Sequence, residues 1–82
     1  MPIDQYNTQY LTFNLTVRGE HTSIYDVLSK SQGSLLGRVQ WYAPWRQYCF
    51  FPSPNCVFNK TCMNDICGFI DTLMKDRREK II

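Results

Sequence analysis

The sequence predicts an α+β domain: a four-stranded antiparallel sheet, wound as a meander, with one C-terminal helix packed on one face. Three observations carry this. Apolar and polar residues alternate strictly from Leu11 to Arg18, as in a half-buried strand. Three further strand-like runs follow, joined by a few turn residues each, too few for the crossover that a parallel pair needs. From Asn59 onward the apolar residues recur at helical spacing.

Taken in order, residues 1–9 are polar without a period and read as a tail, and residues 10–52 read as the sheet. In the first strand Leu11, Phe13, Leu15 and Val17 share one side, and Thr12, Asn14, Thr16 and Arg18 the other. The run from Gly19 to Thr22, with the single histidine His21, breaks it. The second strand, residues 23–30, sets Tyr25 and Val27 against Ile24, Asp26 and Leu28. A tight turn follows, with Gly33 where a positive φ is needed. The third strand covers residues 35–42, Pro44 turns the chain with its fixed φ, and the fourth covers residues 46–51. Pro52 and Pro54 end it, because proline has no N–H for a ladder.

The helix is expected over residues 59–78, capped by Asn59 or Thr61. Its apolar stripe is Met63, Ile66, Cys67, Ile70, Leu73 and Met74, widened by Phe69. The stripe is expected to pack on Leu11, Phe13, Leu15, Val17 and Val39. Lys75, Arg77, Arg78 and Lys80 load the C-terminal end, where cations suit the helix dipole. Gly68 reads as a point of close approach to the sheet.

The 82 residues form one domain, 1–82, near the lower size limit for a chain that folds on a single core. A content of 44% hydrophobic and 20% charged residues is that of a globular chain, not a disordered one. The net charge of +2 does not select an anionic partner, and the five basic residues from Lys60 onward are balanced by four acids. Nucleic-acid binders are usually more basic or more segregated than this. No apolar run approaches membrane-spanning length, and the first ten residues have neither the basic nor the apolar region of a secretory signal. The expected compartment is therefore the cytoplasm, without membrane attachment and with reduced cysteines.

The stretch GRVQWYAPWRQYCFFP, Gly37 to Pro52, holds six of the chain's twelve aromatic residues and two arginines. Its register decides which side chains meet. A three-residue loop, Ala43 to Trp45, sets Tyr42 opposite Arg46 and Gln40 opposite Tyr48. One face then carries Arg38, Gln40, Tyr42, Arg46, Tyr48 and Phe50, and the core face carries Val39, Trp41, Cys49 and Phe51. A two-residue loop, Pro44-Trp45, slips the strands by one and mixes the faces. The first register is preferred because it keeps arginine out of the core.

That face alternates planar tyrosines with arginine forks, which suits flat anionic ligands. The candidate ligand-binding residues are Arg38, Tyr42, Trp45, Arg46 and Tyr48. Trp45 would lie over a base, Arg46 would meet phosphate oxygens, and Tyr48 would supply a second stacking plane. Cross-strand aromatic pairs and arginine–aromatic contacts also stabilise sheets without any ligand, and each tyrosine taken singly is as well explained that way. The patch as a whole reads as a binding face because one helix leaves one side of the sheet uncovered. A homo-oligomer is expected, with a dimer burying Tyr42, Tyr48 and Phe50 and a second subunit completing the pocket.

The remaining chemistry is sparse. Cys49, Cys56, Cys62 and Cys67 are separated by six, five and four residues, without the C-x-x-C pair typical of zinc sites. They read as free thiols, Cys49 alternating inward and Cys67 on the helix stripe, and no metal or cofactor is expected. His21 has no partner base, and there is neither a nucleophile elbow nor a phosphate loop. Catalysis needs several groups acting in concert, so the reading is of a non-enzymatic protein.

The segments LGRVQWYAPWRQYCFFP and CVFNKTCMNDICGFIDTLM resemble a group of small uncharacterised proteins of phages, prophages and bacteria. These share a WY-x-PWRQYCFFP-like hairpin followed by VF and a helix. The resemblance covers residues 24–74. It implies host cytoplasm as the site of action. It also implies a binding role such as antagonism of host defence by sequestering a nucleotide-like signal. The alternatives are a nucleic-acid-binding domain and a protein inhibitor of a host enzyme.

Overall fold

The computed structural model describes residues 4–19 and 22–81, with side chains through Arg77. His21, the first three tail residues and the side chains of Arg78 and Lys80 lie outside this range. The elements are β1 (Gln5–Asn7), β2 (Leu11–Arg18), β3 (Ser23–Ser29), β4 (Leu35–Tyr42), a 3-10 turn (Ala43–Trp45), β5 (Gln47–Pro52) and α1 (Lys60–Ile81). The strands form one antiparallel sheet in the order β1-β2-β3-β4-β5, and α1 packs on one face. The α+β meander with a single C-terminal helix is therefore as the sequence predicts.

The sheet has five strands, not four. The fifth comes from the stretch read as a tail: Gln5, Tyr6 and Asn7 pair with Asn14, Phe13 and Thr12. Three residues show no period, and their pairing is secured by side chains. Gln5 Nε2 donates to Asn14 Oδ1 at 2.9 Å, Thr12 Oγ1 donates to Asn7 Oδ1 at 2.9 Å, and Tyr6 packs edge-on against Phe13 at 5.8 Å.

Two irregularities redirect side chains. Between Leu15 and Val17 the β2–β3 register shifts by one residue. A bulge of this kind sends later side chains to the opposite face, so Val17, expected in the core, is 51% exposed. A second shift between Val27 and Leu28 pairs Leu28 with Leu35. Gly33 adopts φ 71° in the β3–β4 turn, as anticipated. Gly37 is needed for close approach: a Cβ there would lie 2.6 Å from the Phe51 carbonyl oxygen and 2.7 Å from the Phe50 ring.

The core is Leu11, Phe13, Tyr25, Val27, Val39 and Tyr48 from the sheet and Ile66, Phe69 and Leu73 from the helix. Phe69, fully buried, sits at its centre. It stacks on Phe13 at 4.4 Å and meets Tyr25 at 4.9 Å and Tyr6 at 5.0 Å. The helix is accordingly rotated from the expected stripe. Cys62, Ile70 and Met74 flank Ile66, Phe69 and Leu73, whereas Met63 is 51% exposed and Cys67 faces solvent. Asn59 supplies the cap, its Oδ1 accepting the Cys62 N–H at 2.8 Å. Gly68 has nothing within 4 Å of a built Cβ, so it is not a point of close approach.

The β5 edge is shielded. The outward Tyr48 N–H donates to the Met74 sulfur at 3.4 Å, and Pro52 has no N–H to offer. Both features blunt an edge that would otherwise template another strand.

Phe69→Ala should lower stability by about 3–5 kcal/mol, and Met63→Ala should change it by less than about 0.5 kcal/mol. Urea denaturation of both variants checks which stripe faces the sheet. In the same assay Gly68→Ala should raise stability by about 0.5–1 kcal/mol, because a helix-interior glycine with open space around it carries only the entropic penalty.

Candidate functional site

The face opposite α1 is open. A row of successive partners crosses all five strands on it, polar on the first four (Gln5, Asn14, Asp26 and Arg38) and ending on Phe51 of β5. At its centre Arg38 Nε lies 3.2 Å from Asp26 Oδ1. Arg38 thus already has a counter-ion, although its side chain remains 57% exposed.

The β4–β5 hairpin does not take the preferred three-residue-loop register; its strands pair in the slipped register of the Pro44-Trp45 alternative, with Ala43 and Arg46 opened out of the ladder. Tyr42 pairs with Gln47 and Trp41 with Tyr48, so the connection is the four residues Ala43 to Arg46. The 3-10 turn with Pro44 in its first positions starts the reversal. Arg46 completes it in the left-handed conformation, φ 52° and ψ 48°, its N–H donating to the Ala43 carbonyl at 3.1 Å. A slip of one residue exchanges the faces of β5. Tyr48 and Phe50 move to the helix side, and Cys49 and Phe51 move to the open side.

The five candidate ligand-binding residues therefore divide. Arg38, Tyr42, Trp45 and Arg46 lie on the open face or at its hairpin tip. Tyr48 is only 7% exposed and belongs to the core. Its ring meets Trp41 edge-on at 5.5 Å, and its hydroxyl accepts the Ser23 N–H at 3.1 Å. Trp41 is covered on the helix side by the Arg77 guanidinium, 4.1 Å from the ring centroid, a cation–π contact. The dimer contact anticipated through Tyr48 and Phe50 is likewise removed, since both point toward the helix.

Phe51 takes the place that Tyr48 was expected to fill. Tyr42 meets Trp45 at 5.0 Å and Phe51 at 6.0 Å, both edge-to-face. Trp45 is 66% exposed, and Arg46 has no side-chain hydrogen bond or ion pair among the described residues. Among the described residues the tip is thus an aromatic cluster with a cation that has no partner, next to the paired Arg38. Sequence reasoning missed Phe51 because the loop length was misjudged. A glycine or asparagine at position 46 would have signalled a left-handed residue, and arginine does not.

Other concavities and clusters offer less. A cleft of about 520 Å³ lies at the far end of the sheet, lined by Tyr10, Lys30, Leu36, Val57 and Asn59 among others. Lys30 is its one charged side chain, and the helix start beside it is capped by its own Asn59. Among the described residues no three His, Cys, Asp or Glu side chains are grouped to hold a metal ion. Cys49 lies on the open face beside Gln40, not inward as expected, and Cys67 is exposed on the helix.

The core tyrosines near the hairpin have an electrostatic consequence. Burial pushes the Tyr25 hydroxyl up from 10.0 to about 12, reinforced by the neighbouring Tyr48 and Asp76. A raised folded-state pKa means that the unfolded chain loses its proton first. The stabilisation is thus complete below pH 10 and is lost as pH rises toward 12. Urea unfolding of the wild type should show a decline of about 2–3 kcal/mol over that window, and Tyr25→Phe should remove most of it.

No family profile matches the chain, and no solved structure matches it. A curated protein does: an "Uncharacterized 9.3 kDa protein" of Acholeplasma phage L2, 33% identical over 78 residues, which span 94% of this chain and 100% of the relative. No helix among the described residues is long and apolar enough to cross a membrane. With a third of its residues shared along the full length of the phage protein, the chain belongs to the same family of small phage proteins.

Proposed function

We propose that the protein is a non-enzymatic binding protein that holds a planar, anionic, nucleotide-like ligand at the tip of the β4–β5 hairpin. In a phage family, such binding would serve to sequester a signal of host defence. Trp45 offers its exposed indole for stacking, Tyr42 and Phe51 back it, and Arg46 meets the phosphate. Arg38, held by Asp26, sets the potential of the face and is the weaker direct contact.

One observation carries this reading. Arg46 occupies a left-handed backbone position, φ 52°, which costs a non-glycine residue about 1 kcal/mol. Its side chain gains no partner within the described residues to offset that cost. Strain of this kind clusters at ligand clamps. A guanidinium held beside an exposed tryptophan is suited to phosphate beneath a stacked base.

Arg46→Gly separates a structural role from a binding one, because glycine accepts the same backbone conformation without strain. The variant should keep or slightly raise its melting temperature. It should weaken nucleotide binding about ten- to a hundredfold, the loss expected for one charge-assisted contact. Thermal-shift screening of linear and cyclic nucleotides against wild type and Arg46→Gly is the measurement. Absence of any nucleotide that stabilises the wild type, or equal binding by the variant, overturns the proposal. A mobility shift with single-stranded DNA that fades steeply with salt would assign the tip to nucleic acid instead.

A further inference from the structure

We infer that the open sheet face is a homodimer interface, in which Asp26 and Arg38 of one protomer meet the partner's Arg38 and the partner's Asp26 across a two-fold axis. This goes beyond the ligand reading and does not rest on it.

The argument starts from symmetry. A two-fold contact must be self-complementary: whatever residue i meets, its copy meets in return. Three simple placements of the axis can be compared for face-to-face sheets. An axis parallel to the strands and centred on β3 stacks Asp26 on the partner's Asp26. An axis perpendicular to the strands through the polar row stacks like on like at both positions. Like charges brought together in this way are repelled. An axis parallel to the strands but midway between β3 and β4 lays β3 of one protomer over β4 of its partner. Asp26 and Arg38 are direct neighbours on those two strands, so this placement sets each over its opposite.

The same half-strand offset matches the apolar residues. Leu28 pairs with Leu35 across β3 and β4, so each leucine faces the partner's other one. Leu35 is 40% exposed and would be covered. Arg38 is also suited to a second carboxylate. Its Nε faces Asp26 in its own chain, and its Nη groups have no partner among the described residues. The offset leaves only β1 outside the overlap, and its outward side chains, Gln5 and Asn7, are polar.

Four overlapping strands, about 4.8 Å apart and about 26 Å long, give a footprint of about 500 Å² per protomer. That is about 1,000 Å² in all, the smallest area expected of a specific interface and the size class of weak, transient ones. Arg38, Tyr42 and Phe51 lie on the overlapping strands, but Trp45 and Arg46 lie in the connection beyond them, so Arg46→Gly tests the ligand reading without altering the Asp26–Arg38 strip.

The test mixes two charge variants. Wild type should sediment as a dimer at about 100 µM, a concentration suited to an interface of this size class. Asp26→Lys alone and Arg38→Asp alone should each be monomeric, and circular dichroism should report an intact fold for both. Mixed in equal amounts, they should again form a dimer. The Asp26→Lys chain then presents two cations on the β3–β4 strip, and the Arg38→Asp chain presents two carboxylates to meet them. Only an intermolecular contact predicts that rescue. Leu35→Glu is the second probe should either charge variant fail to fold, and it too should be monomeric. A monomeric wild type, single variants that remain dimeric, or a mixture that stays monomeric would each overturn the inference.

Discussion

The stacking of Phe69 on Phe13 is the contact on which the rest depends. A 22-residue helix can present any of several faces to a sheet, and the largest side chain able to fill the centre decides among them. With Phe69 set among Phe13, Tyr25 and Tyr6, Met63 and Cys67 are turned outward and Ile66 and Leu73 inward. The same contact draws Tyr6 against the core, which is why three polar-flanked residues can hold an edge strand. It also commits one face of the sheet to the helix and leaves the other available.

The hairpin shows how a local backbone detail governs chemistry at a distance from it. Proline opens a 3-10 turn and Arg46 closes it in a left-handed conformation. Together they make the connection four residues long and set the pairing of Trp41 with Tyr48. Tyr48 becomes a core residue that ties β5 to the start of β3 through the Ser23 N–H. Phe51 instead joins Tyr42 and Trp45 on the exposed side. One residue more or less in the loop would exchange these roles.

The open face is neither a plain solvated surface nor an apolar one. It carries a polar row with an ion pair at its centre, leucines beside that pair and aromatics at the hairpin end. Arg38 is 57% exposed and Asp26 26%, and the buried Asp26 Oδ1 has no hydrogen-bond partner among the described residues, so the pair leaves bonding capacity for a partner. The hairpin tip has a different character, with an accessible indole and a guanidinium that has no partner among the described residues. The two regions adjoin and share Arg38, whereas Trp45 and Arg46 belong to the tip alone.

The sequence by itself determined the periodic elements. Alternation in Leu11 to Arg18 and the strand-like run of residues 35–42, bounded by turn residues, gave β2 and β4 their full extent. Short connections dictated the antiparallel order, and Asn59 or Thr61 marked the helix start, of which the structure selects Asn59. These are local properties, written in spacing and capping chemistry. Of the candidate site, Arg38, Tyr42, Trp45 and Arg46 were legible because arginine and aromatic residues cluster visibly in a short stretch. What only the tertiary structure decided was non-local. The β1 strand exists because side chains far along the chain receive it. The bulge that exposes Val17 follows from its pairing with β3. The places of Tyr48 and Phe51 follow from a loop conformation that arginine does not announce. Side-chain period in a strand is two, so an uncertainty of one residue in register inverts the whole strand. Spacing along the chain cannot resolve that when the turn residue carries no glycine-like signal.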